Sequence, residues 1–230
     1  MSAPHYVVAA THSWNRVVFE EAIRPLPGRW TFVSTTEQLE DFAASGERAR
    51  YVFFLHWSWW VPAAITDAYE CVVFHMTDVP YGRGGSPLQN LIWRGHTKTK
   101  LTALRMVEEL DAGPVYAKEP LALDGTAREI YERASRLAAK MIAWMTSAEP
   151  EPAPQTGEPT VFRRRRPEES ALPEGESAAR LYDFIRMLDA PGYPHAFVRS
   201  GGHRIELTGA ALAGEVLTAK ATFVSVEGAR

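Results

Sequence analysis

The sequence predicts an α/β fold: a Rossmann-like, mostly parallel sheet flanked by helices, with a small C-terminal α+β extension. Short apolar runs rich in β-branched and aromatic residues at 5–11, 30–34, 51–55 and 70–74 indicate buried strands. The segments between these runs show helical spacing of apolar residues. Strands that alternate with short helices are typical of right-handed βαβ units, and such units build a parallel sheet.

The helical segments have recognisable starting residues. Ser13 precedes a short helical pattern, and residues 36–45 form a second one with their apolar residues on one face. Residues 127–147 give the strongest helical pattern, with Thr126 as the predicted N-cap. The pattern at 100–107 fits a strand or a helix equally well, so the sequence leaves this element open.

Composition divides the chain into three predicted parts. Residues 1–148 form the main domain, and residues 149–170 begin with a proline- and acid-rich stretch that predicts an extended linker. Residues 171–230 are predicted to form the small α+β element. It comprises an amphipathic helix at 177–188 and a weakly alternating, glycine-containing β region at 195–226.

Composition and charge exclude several classes of protein. The chain has 230 residues, 46% hydrophobic and 23% charged, and its net charge of −3 gives no overall attraction to nucleic acid. A single cysteine, Cys71, excludes a disulfide framework, and the scattered histidines predict no metal site. No apolar run is long enough to span a membrane, and the first ten residues do not resemble a secretory signal. We therefore expect a cytoplasmic protein that acts on a small molecule.

Two segments could carry chemistry together. His75 lies at the end of a predicted strand and precedes a loop rich in proline and glycine, where open α/β sheets bind their ligands. Asp111 lies in an Asp-Ala-Gly sequence that is typical of a turn. Alone, either residue has an ordinary structural explanation. Together they predict a carboxylate that orients an imidazole and supports its protonated form.

The segment from His75 to Asp111 resembles the folate-dependent formyltransferases, which share the fold of glycinamide ribonucleotide and methionyl-tRNA transformylases. The resemblance covers roughly residues 5–145. It implies the formyltransferase fold, N10-formyltetrahydrofolate as co-substrate, no metal, and His75 and Asp111 as catalytic residues. The residues that match the family motif in order and spacing are His75, Pro80, Arg83, Gly84, Gly85, Gln89, Gly95, Asp111 and Gly113.

One position departs from the family motif. The family asparagine that helps to hold the formyl oxygen falls on Val73, whose side chain cannot donate a hydrogen bond. Either the protein is weakly active or inactive, or another group replaces the missing donor. The candidate replacements are His56, Thr77, Asn90 and a backbone N–H of the glycine-rich loop.

The resemblance also places a folate pocket. The tryptophan-rich loop at 56–62 and the segment 106–111 occupy the matching positions, and flat heterocycles suit such loops. Ordinary core or dimer packing would explain the tryptophans equally well. The predicted cofactor-binding residues are Trp57, Ser58, Trp59, Val61, Arg83, Gly84, Met106, Val107 and Leu110.

Within the family, two segments resemble the formyltransferases that act on nucleotide-linked amino sugars in polysaccharide biosynthesis. They are the Ser-Trp-Asn loop at 13–15 and the segment 184–197, which make Trp14, Asn15 and Tyr193 the predicted acceptor-binding residues. The 80 residues after Pro150 look short for the substrate-binding barrel of the tRNA-directed enzymes. The four arginines at 163–166 fit either a diphosphate site or, more simply, a solvated connector.

The leading hypothesis is an N-formyltransferase whose acceptor is the primary amine of a sugar nucleotide, with no nucleic-acid or membrane partner. Alternatives are transfer to another small amine, hydrolysis of N10-formyltetrahydrofolate, or a degenerate folate- or sugar-nucleotide-binding protein. A Rossmann dehydrogenase is disfavoured, because residues 11–14 lack the glycine-rich dinucleotide motif. The resemblance further suggests a homodimer, through the segment after Gly95.

Overall fold

A computed structural model describes residues 3–225 and confirms the α/β prediction. Residues 1–2 of the predicted main domain and residues 226–230 of the predicted C-terminal element lie outside the described residues. A six-stranded sheet with strand order β2-β1-β3-β4-β6-β7 forms the centre of the fold. The strands are β1 (His5–Ala9), β2 (Arg29–Val33), β3 (Tyr51–Leu55), β4 (Cys71–His75), β5 (Tyr81–Gly84), β6 (Lys98–Arg105), β7 (Val115–Ala122), β8 (Thr160–Phe162), β9 (Ala196–Ser200), β10 (His203–Ala213) and β11 (Val216–Ser225).

The four helices that the sequence predicts lie within a few residues of their predicted positions, and the structure adds two further helices, Ala63–Ala68 and Pro87–Trp93, and two short helical turns. A π-helical turn, Phe19–Ile23, extends the first helix, and a 3₁₀ turn, Pro167–Ser170, precedes the last. None of the helices within residues 3–225 is long and apolar enough to cross a membrane. The helices are α1 (Ser13–Val18), α2 (Thr36–Ala44), α3 (Ala63–Ala68), α4 (Pro87–Trp93), α5 (Ala127–Ala148) and α6 (Ala178–Arg186).

The sheet is parallel where the sequence predicts it. Strand β1 pairs in parallel with β2 and β3, and β3 pairs in parallel with β4. Strands β1 and β3 are buried along their whole length, which explains their continuous apolar sequence. The segment left open at 100–107 is the strand β6, which runs antiparallel to β4 and places Leu104 opposite Val73. Burial on both faces hides the period-2 pattern that would have identified β6 from the sequence.

The chain divides into two compact units that alternate along the sequence, whereas the predicted domains are continuous. The first unit contains the six-stranded sheet and the second contains the C-terminal elements. The first unit comprises Met1–Gly84, Thr99–Leu121 and Glu132–Val161. The second unit comprises Gly85–Lys98, Ala122–Tyr131 and Phe162–Arg230.

The second unit has its own antiparallel sheet, with strand order β11-β10-β9. Helix α6 packs against β10 and also against α4. Ser177 caps α6 by accepting a hydrogen bond from the amide of Arg180, and the Arg180 guanidinium lies 3.6 Å from the ring centroid of Trp93 in α4. The ring of Trp93 also contacts Phe184 of α6 edge to face at 5.5 Å. These contacts join α4 to α6 within the second unit.

The arginine run at 163–166 is not a free connector, because residues of the second unit hold its backbone. The amide of Gly85 donates to the carbonyl of Phe162, and the Ser86 hydroxyl accepts from the amide of Arg165. A side chain at Gly85 would have no room, since its Cβ would lie 2.5 Å from the Cβ of Arg164. The glycine that the family motif places here therefore permits a close approach of two backbones.

Candidate active site

His75 is the last residue of β4, at the carboxyl edge of the parallel strands. The residue is 7% exposed, and both ring nitrogens face acceptors. Nε2 lies 2.8 Å from the carbonyl oxygen of Gly82, and Nδ1 lies 3.5 Å from Oδ2 of Asp111. Because a carbonyl oxygen only accepts, Nε2 carries a proton in this hydrogen bond, and Nδ1 faces the carboxylate.

A tight turn brings Asp111 to His75. Asp111 has a φ of 55°, in the left-handed region that aspartate tolerates better than most residues. Gly113 approaches the end of β6 so closely that a Cβ there would lie 1.8 Å from the carbonyl oxygen of Arg105. The buried Asp111 carboxylate also accepts a hydrogen bond of 2.9 Å from the amide of Gly84. The structure thus brings together the two side chains that the sequence singles out, and gives their turn a positioning role.

Gln155 is a site residue that the sequence does not reveal. Its Nε2 donates to the carbonyl oxygens of Asp111 and Gly113, each at 2.8 Å. Its Oε1 accepts from Nε and Nη2 of Arg83 at 3.1 and 2.9 Å. Gln155 lies in the proline-rich segment that predicts only an extended linker, so no local pattern marks it. One amide therefore ties Arg83 to the turn that carries Asp111.

The predicted folate-pocket residues include both buried and exposed side chains. Trp57, Val61 and Met106 pack against one apolar cluster that also contains Phe54. Among the described residues, the Trp57 indole N–H is buried and has no acceptor. A heterocycle with ring nitrogens and carbonyl oxygens would supply one, so this part of the chain fits a pterin. The exposed members are Ser58, Trp59 (48%), Val107 (41%) and Leu110 (63%).

A second aromatic group lies where β1 and β3 end. The rings of His12 and Trp14 stack with centroids 4.2 Å apart, and the His12 and His56 rings meet edge to face at 5.0 Å. Burial, and secondarily the charge of His12, lowers the pKa of His56 to about 3, so its imidazole is neutral at physiological pH. Burial also lowers the pKa of His12.

The predicted acceptor-binding residues are less accessible than expected. Asn15 is fully buried, and its amide nitrogen donates to the carbonyl oxygen of Leu55 at 3.2 Å while its oxygen accepts from the Ser135 hydroxyl at 2.5 Å. Trp14 is only 8% exposed. Tyr193 is half-buried in the second unit and stacks on Tyr131 at 5.2 Å. The contacts of Asn15 give it a structural role, and its part in binding an acceptor stays a prediction.

The single cysteine and the side-chain types that bind metals are the other chemically relevant features of the described residues. Cys71 is buried in β4, and burial raises the pKa of its thiol to about 12, which makes it unreactive. Within residues 3–225, no group of three or more histidine, cysteine, aspartate or glutamate side chains could hold a metal ion.

Comparison with known proteins shows the family. A family model described as methionyl-tRNA formyltransferase, C-terminal domain, matches residues 167–224. The solved structure of methionyl-tRNA formyltransferase from Clostridium thermocellum is 38% identical to this chain and superposes on it with a TM-score of 0.90. The superposition covers 97% of this chain and 100% of that chain. The chain belongs to the formyltransferase family.

The relatives found by sequence comparison include methionyl-tRNA formyltransferases. Methionyl-tRNA formyltransferase of Methylobacterium nodulans is 32% identical over 188 residues, which cover 74% of this chain and 60% of that protein. The chain thus spans about 60% of the length of this curated relative. These relatives are named for methionyl-tRNA, so the predicted closeness to the amino-sugar enzymes is not confirmed. The match at 167–224 lies in the region after Pro150 that looks short for the substrate-binding barrel of the tRNA-directed enzymes.

Two more distant structures share the fold alone. HypX from Aquifex aeolicus, solved in complex with tetrahydrofolic acid, is 17% identical with a TM-score of 0.72, over 91% of this chain and 38% of that chain. A sugar N-formyltransferase from Shewanella sp FDAARGOS_354 is 14% identical with a TM-score of 0.64, over 89% of this chain and 96% of that chain.

Proposed function

We propose that the protein transfers a formyl group from N10-formyltetrahydrofolate to the primary amine of an acceptor. The observation that carries this proposal is the buried pair of His75 and Asp111 at the carboxyl edge of the parallel strands, in a chain of the formyltransferase family. The co-substrate supplies an electrophilic formyl carbon. The protein must then handle a proton and stabilise the negative charge that develops on the formyl oxygen.

His75 and Asp111 are proposed to handle the proton. Nδ1 of His75 accepts a proton that the attacking amine loses, and the resulting imidazolium is held between the Gly82 carbonyl and the Asp111 carboxylate. The same imidazolium then returns a proton to the leaving nitrogen. Asp111 is itself fixed by the amide of Gly84, so the pair keeps its geometry while the charge changes.

The co-substrate is proposed to bind beside the tryptophan-rich loop. Trp57, Val61 and Met106 offer an apolar wall with one buried N–H that lacks an acceptor within residues 3–225. Trp59 and Leu110 leave apolar surface exposed that a bound pterin would cover. The tetrahydrofolic acid in the structure of the HypX neighbour supports a folate in this role.

For the acceptor we propose a small amine that carries an anionic group, such as a nucleotide-linked amino sugar. The net charge of −3 argues against a large nucleic-acid partner. In the arginine run, Arg163 pairs with Glu169, whereas Arg164 is exposed and makes no ion pair within the described residues. Burial raises the pKa of Tyr193, and the hydrogen bond with Tyr131 and the charge of Arg164 oppose this rise.

Methionyl-tRNA is the second candidate acceptor. The relatives with 32% and 38% identity carry that name, and the matching family model describes their C-terminal domain. In this case the amine is that of the esterified methionine, and the same proton transfers apply.

The deciding experiment incubates the protein with N10-formyltetrahydrofolate and, separately, amino-sugar nucleotides, small amines and methionyl-tRNA. We expect formylation of one acceptor class. Release of formate in every reaction would indicate a hydrolase instead, and folate binding without turnover would indicate a degenerate binding protein.

Two substitutions test the proposed proton transfer. His75→Ala and Asp111→Asn should each lower kcat by about 10²–10⁴-fold, because each removes part of the proton-transfer pair. His203→Ala, which removes an exposed histidine of the second unit, is the matched control and should leave kcat unchanged. Full activity in His75→Ala would refute the proposed mechanism.

A further inference from the structure

The segment that follows His75 is buried although it is neither helix nor strand. Residues 76–80 connect β4 to β5, and Met76, Thr77 and Val79 are at most 6% exposed. Buried backbone carbonyls need hydrogen-bond donors, because an unpaired buried carbonyl is costly. Each carbonyl of this segment has one. The donors, in order from residue 76 to residue 80, are the Thr99 hydroxyl, the Thr102 hydroxyl, the Tyr81 amide, the Lys118 ammonium and the Thr160 amide.

Three of these donors are side chains of β6 and β7. Thr99 and Thr102 belong to β6, and Lys118 belongs to β7, where its ammonium also pairs with the Asp78 carboxylate at 2.6 Å. Strand β6 lies next to β4, and Thr102 is aligned with His75. The sheet therefore holds the backbone that follows His75.

The Thr77 hydroxyl and the His75 ring share one acceptor. The hydroxyl donates to the Gly82 carbonyl at 3.2 Å, and Nε2 of His75 lies 2.8 Å from the same oxygen. A carbonyl oxygen has two lone pairs, so it accepts both hydrogens at once. Thr77 is fully buried, so bulk water does not compete for its hydroxyl. Any movement of the Gly82 carbonyl consequently changes the partner of the His75 ring.

Strand β5 contacts both members of the candidate catalytic pair through its backbone. The Gly82 carbonyl meets His75, and the Gly84 amide donates to Oδ2 of Asp111 at 2.9 Å. Gly82 is buried and has a φ of 79°, in the left-handed region that favours glycine. The Thr77 hydroxyl thus ties the segment after β4 to the strand that holds the pair.

The Gly82 carbonyl also determines which nitrogen of a neutral His75 ring carries the hydrogen. A neutral imidazole has a single N–H. Nδ1 lies 3.5 Å from the Asp111 carboxylate, longer than an ordinary hydrogen bond, whereas the contact of Nε2 with the Gly82 oxygen is 2.8 Å. The shorter contact favours the hydrogen on Nε2, and Nδ1 is then free to accept the proton of the attacking amine.

We propose that Thr77 is a positioning residue, whose hydroxyl holds the Gly82 carbonyl where that oxygen fixes the orientation and the protonated nitrogen of the His75 ring. The inference rests on the proposed formyl transfer and deepens it, because it concerns the state of His75 before the ring takes a proton. Thr77 acts through Gly82 and His75, as the carboxylate of a catalytic triad acts through its histidine.

The ring nitrogens of His75 report this role without any substrate. In protein labelled with ¹⁵N in its histidines, at alkaline pH where imidazoles are neutral, the chemical shifts should place the hydrogen of His75 on Nε2. His75→Ala identifies the signals. Thr77→Val keeps the shape of the side chain without its hydroxyl, and should add a population with the hydrogen on Nδ1. Thr77→Ser keeps the hydroxyl and should preserve the original pattern.

A matched control removes a hydroxyl elsewhere in the same unit. Thr146→Val deletes the hydrogen bond from the Thr146 hydroxyl to the Ile142 carbonyl in α5, at 3.0 Å. It should change neither the His75 signals nor the rate of formyl transfer.

Kinetics separate positioning from a general loss of structure. Thr77→Val should lower kcat by about 10–100-fold, as for other side chains that orient a reacting group, and should leave the KM for N10-formyltetrahydrofolate within about twofold. Thr77→Ser should retain most of the activity. In the His75→Ala background, Thr77→Val should change kcat by less than about twofold, because the ring through which Thr77 acts is absent.

The outcomes distinguish this inference from the function on which it rests. Equal losses of kcat in Thr77→Val and Thr77→Ser, His75 signals that Thr77→Val leaves unchanged, or a neutral His75 with its hydrogen on Nδ1 in the unaltered protein would each overturn the role of Thr77. The last of these needs no variant, so it applies even where Thr77→Val does not fold. His75 signals that respond to Thr77→Val in a protein that formylates no acceptor would support the positioning of the ring and overturn formyl transfer.

Discussion

At the scale of single residues, side chains that look alike in the sequence make different contacts in the structure. The sequence predicts Asn15 and Asn90 as candidate site residues, but the amide nitrogen of each donates hydrogen bonds to backbone carbonyls. Gln155 looks like a linker residue and instead ties Arg83 to the turn of Asp111. A polar side chain within reach of unpaired backbone groups tends to bond them, because a buried carbonyl without a partner is costly.

Gln155→Leu should impair catalysis through the Asp111 turn. The change keeps the size of the side chain and removes its four hydrogen bonds to Arg83, Asp111 and Gly113. We expect kcat to fall at least tenfold and the free energy of unfolding to fall by about 1–3 kcal/mol, measured by steady-state assay and urea titration. Glu158→Gln, an exposed change in the same segment, is the control and should alter neither. If Gln155→Leu were as active as the unchanged enzyme, the turn of Asp111 would keep its conformation without Gln155.

Arg164→Ala tests the proposed anionic acceptor. The substitution removes an exposed guanidinium whose charge lowers the pKa of Tyr193, so the KM for a phosphate-bearing acceptor should rise about tenfold while kcat at saturation is unchanged. Arg163→Ala removes an arginine that pairs with Glu169 and should change this KM by less than twofold. Equal effects of both substitutions would favour a diffuse electrostatic attraction over a local site.

At the scale of secondary-structure elements, close contacts between backbone segments position the Asp111 carboxylate. The turn that carries Asp111 is pinned to β6 by the hydrogen bond from Arg105 N to the Pro114 carbonyl, at 2.9 Å, and by the contact of Gly113 with Arg105. Such a contact is rigid, because backbone atoms cannot move aside as the end of a side chain can. The carboxylate is consequently placed by the strand order and not by the turn sequence alone.

Gly113→Ala should displace Asp111 or prevent folding. The added methyl group would lie 1.8 Å from the Arg105 carbonyl oxygen, which forces β6 and the turn apart. We expect a loss of unfolding free energy of about 3 kcal/mol or more and, in any folded fraction, loss of formyl transfer. Gly46→Ala is the control, since a Cβ there meets nothing within 4 Å, and it should cost about 1 kcal/mol from its positive φ alone. A melting temperature equal to that of the unchanged protein would contradict the described contact.

At the scale of the whole molecule, several histidines of the first unit fold in their neutral form. Burial lowers the pKa of His5, His12 and His56 below the usual 6.5. As pH falls through 6.5, the unfolded chain binds protons that the folded protein excludes, and unfolding becomes more favourable. The contribution of these histidines to stability is therefore complete above pH 6.5 and declines below it.

The melting temperature should fall between pH 7.5 and pH 5.0. Each excluded proton contributes a slope of at most about 1.4 kcal/mol per pH unit. His56→Gln should make the dependence of melting temperature on pH shallower, whereas His203→Gln, at an exposed position, should leave it unchanged. A melting temperature that stays constant or rises on acidification would contradict the neutral state of these residues. The homodimer and the cytoplasmic location stay predictions that this measurement does not address.

The sequence by itself determined the parallel strands, the long helix α5 with its Thr126 cap, and the pairing of His75 with Asp111. These features depend on local periodicity or on a motif that several fixed positions define. The tertiary structure alone decided that most of the segment 100–107 belongs to strand β6 and that Gln155 contacts the turn of Asp111. Each of these depends on which segments meet in space, and contacts between residues distant in sequence leave no period or spacing to read.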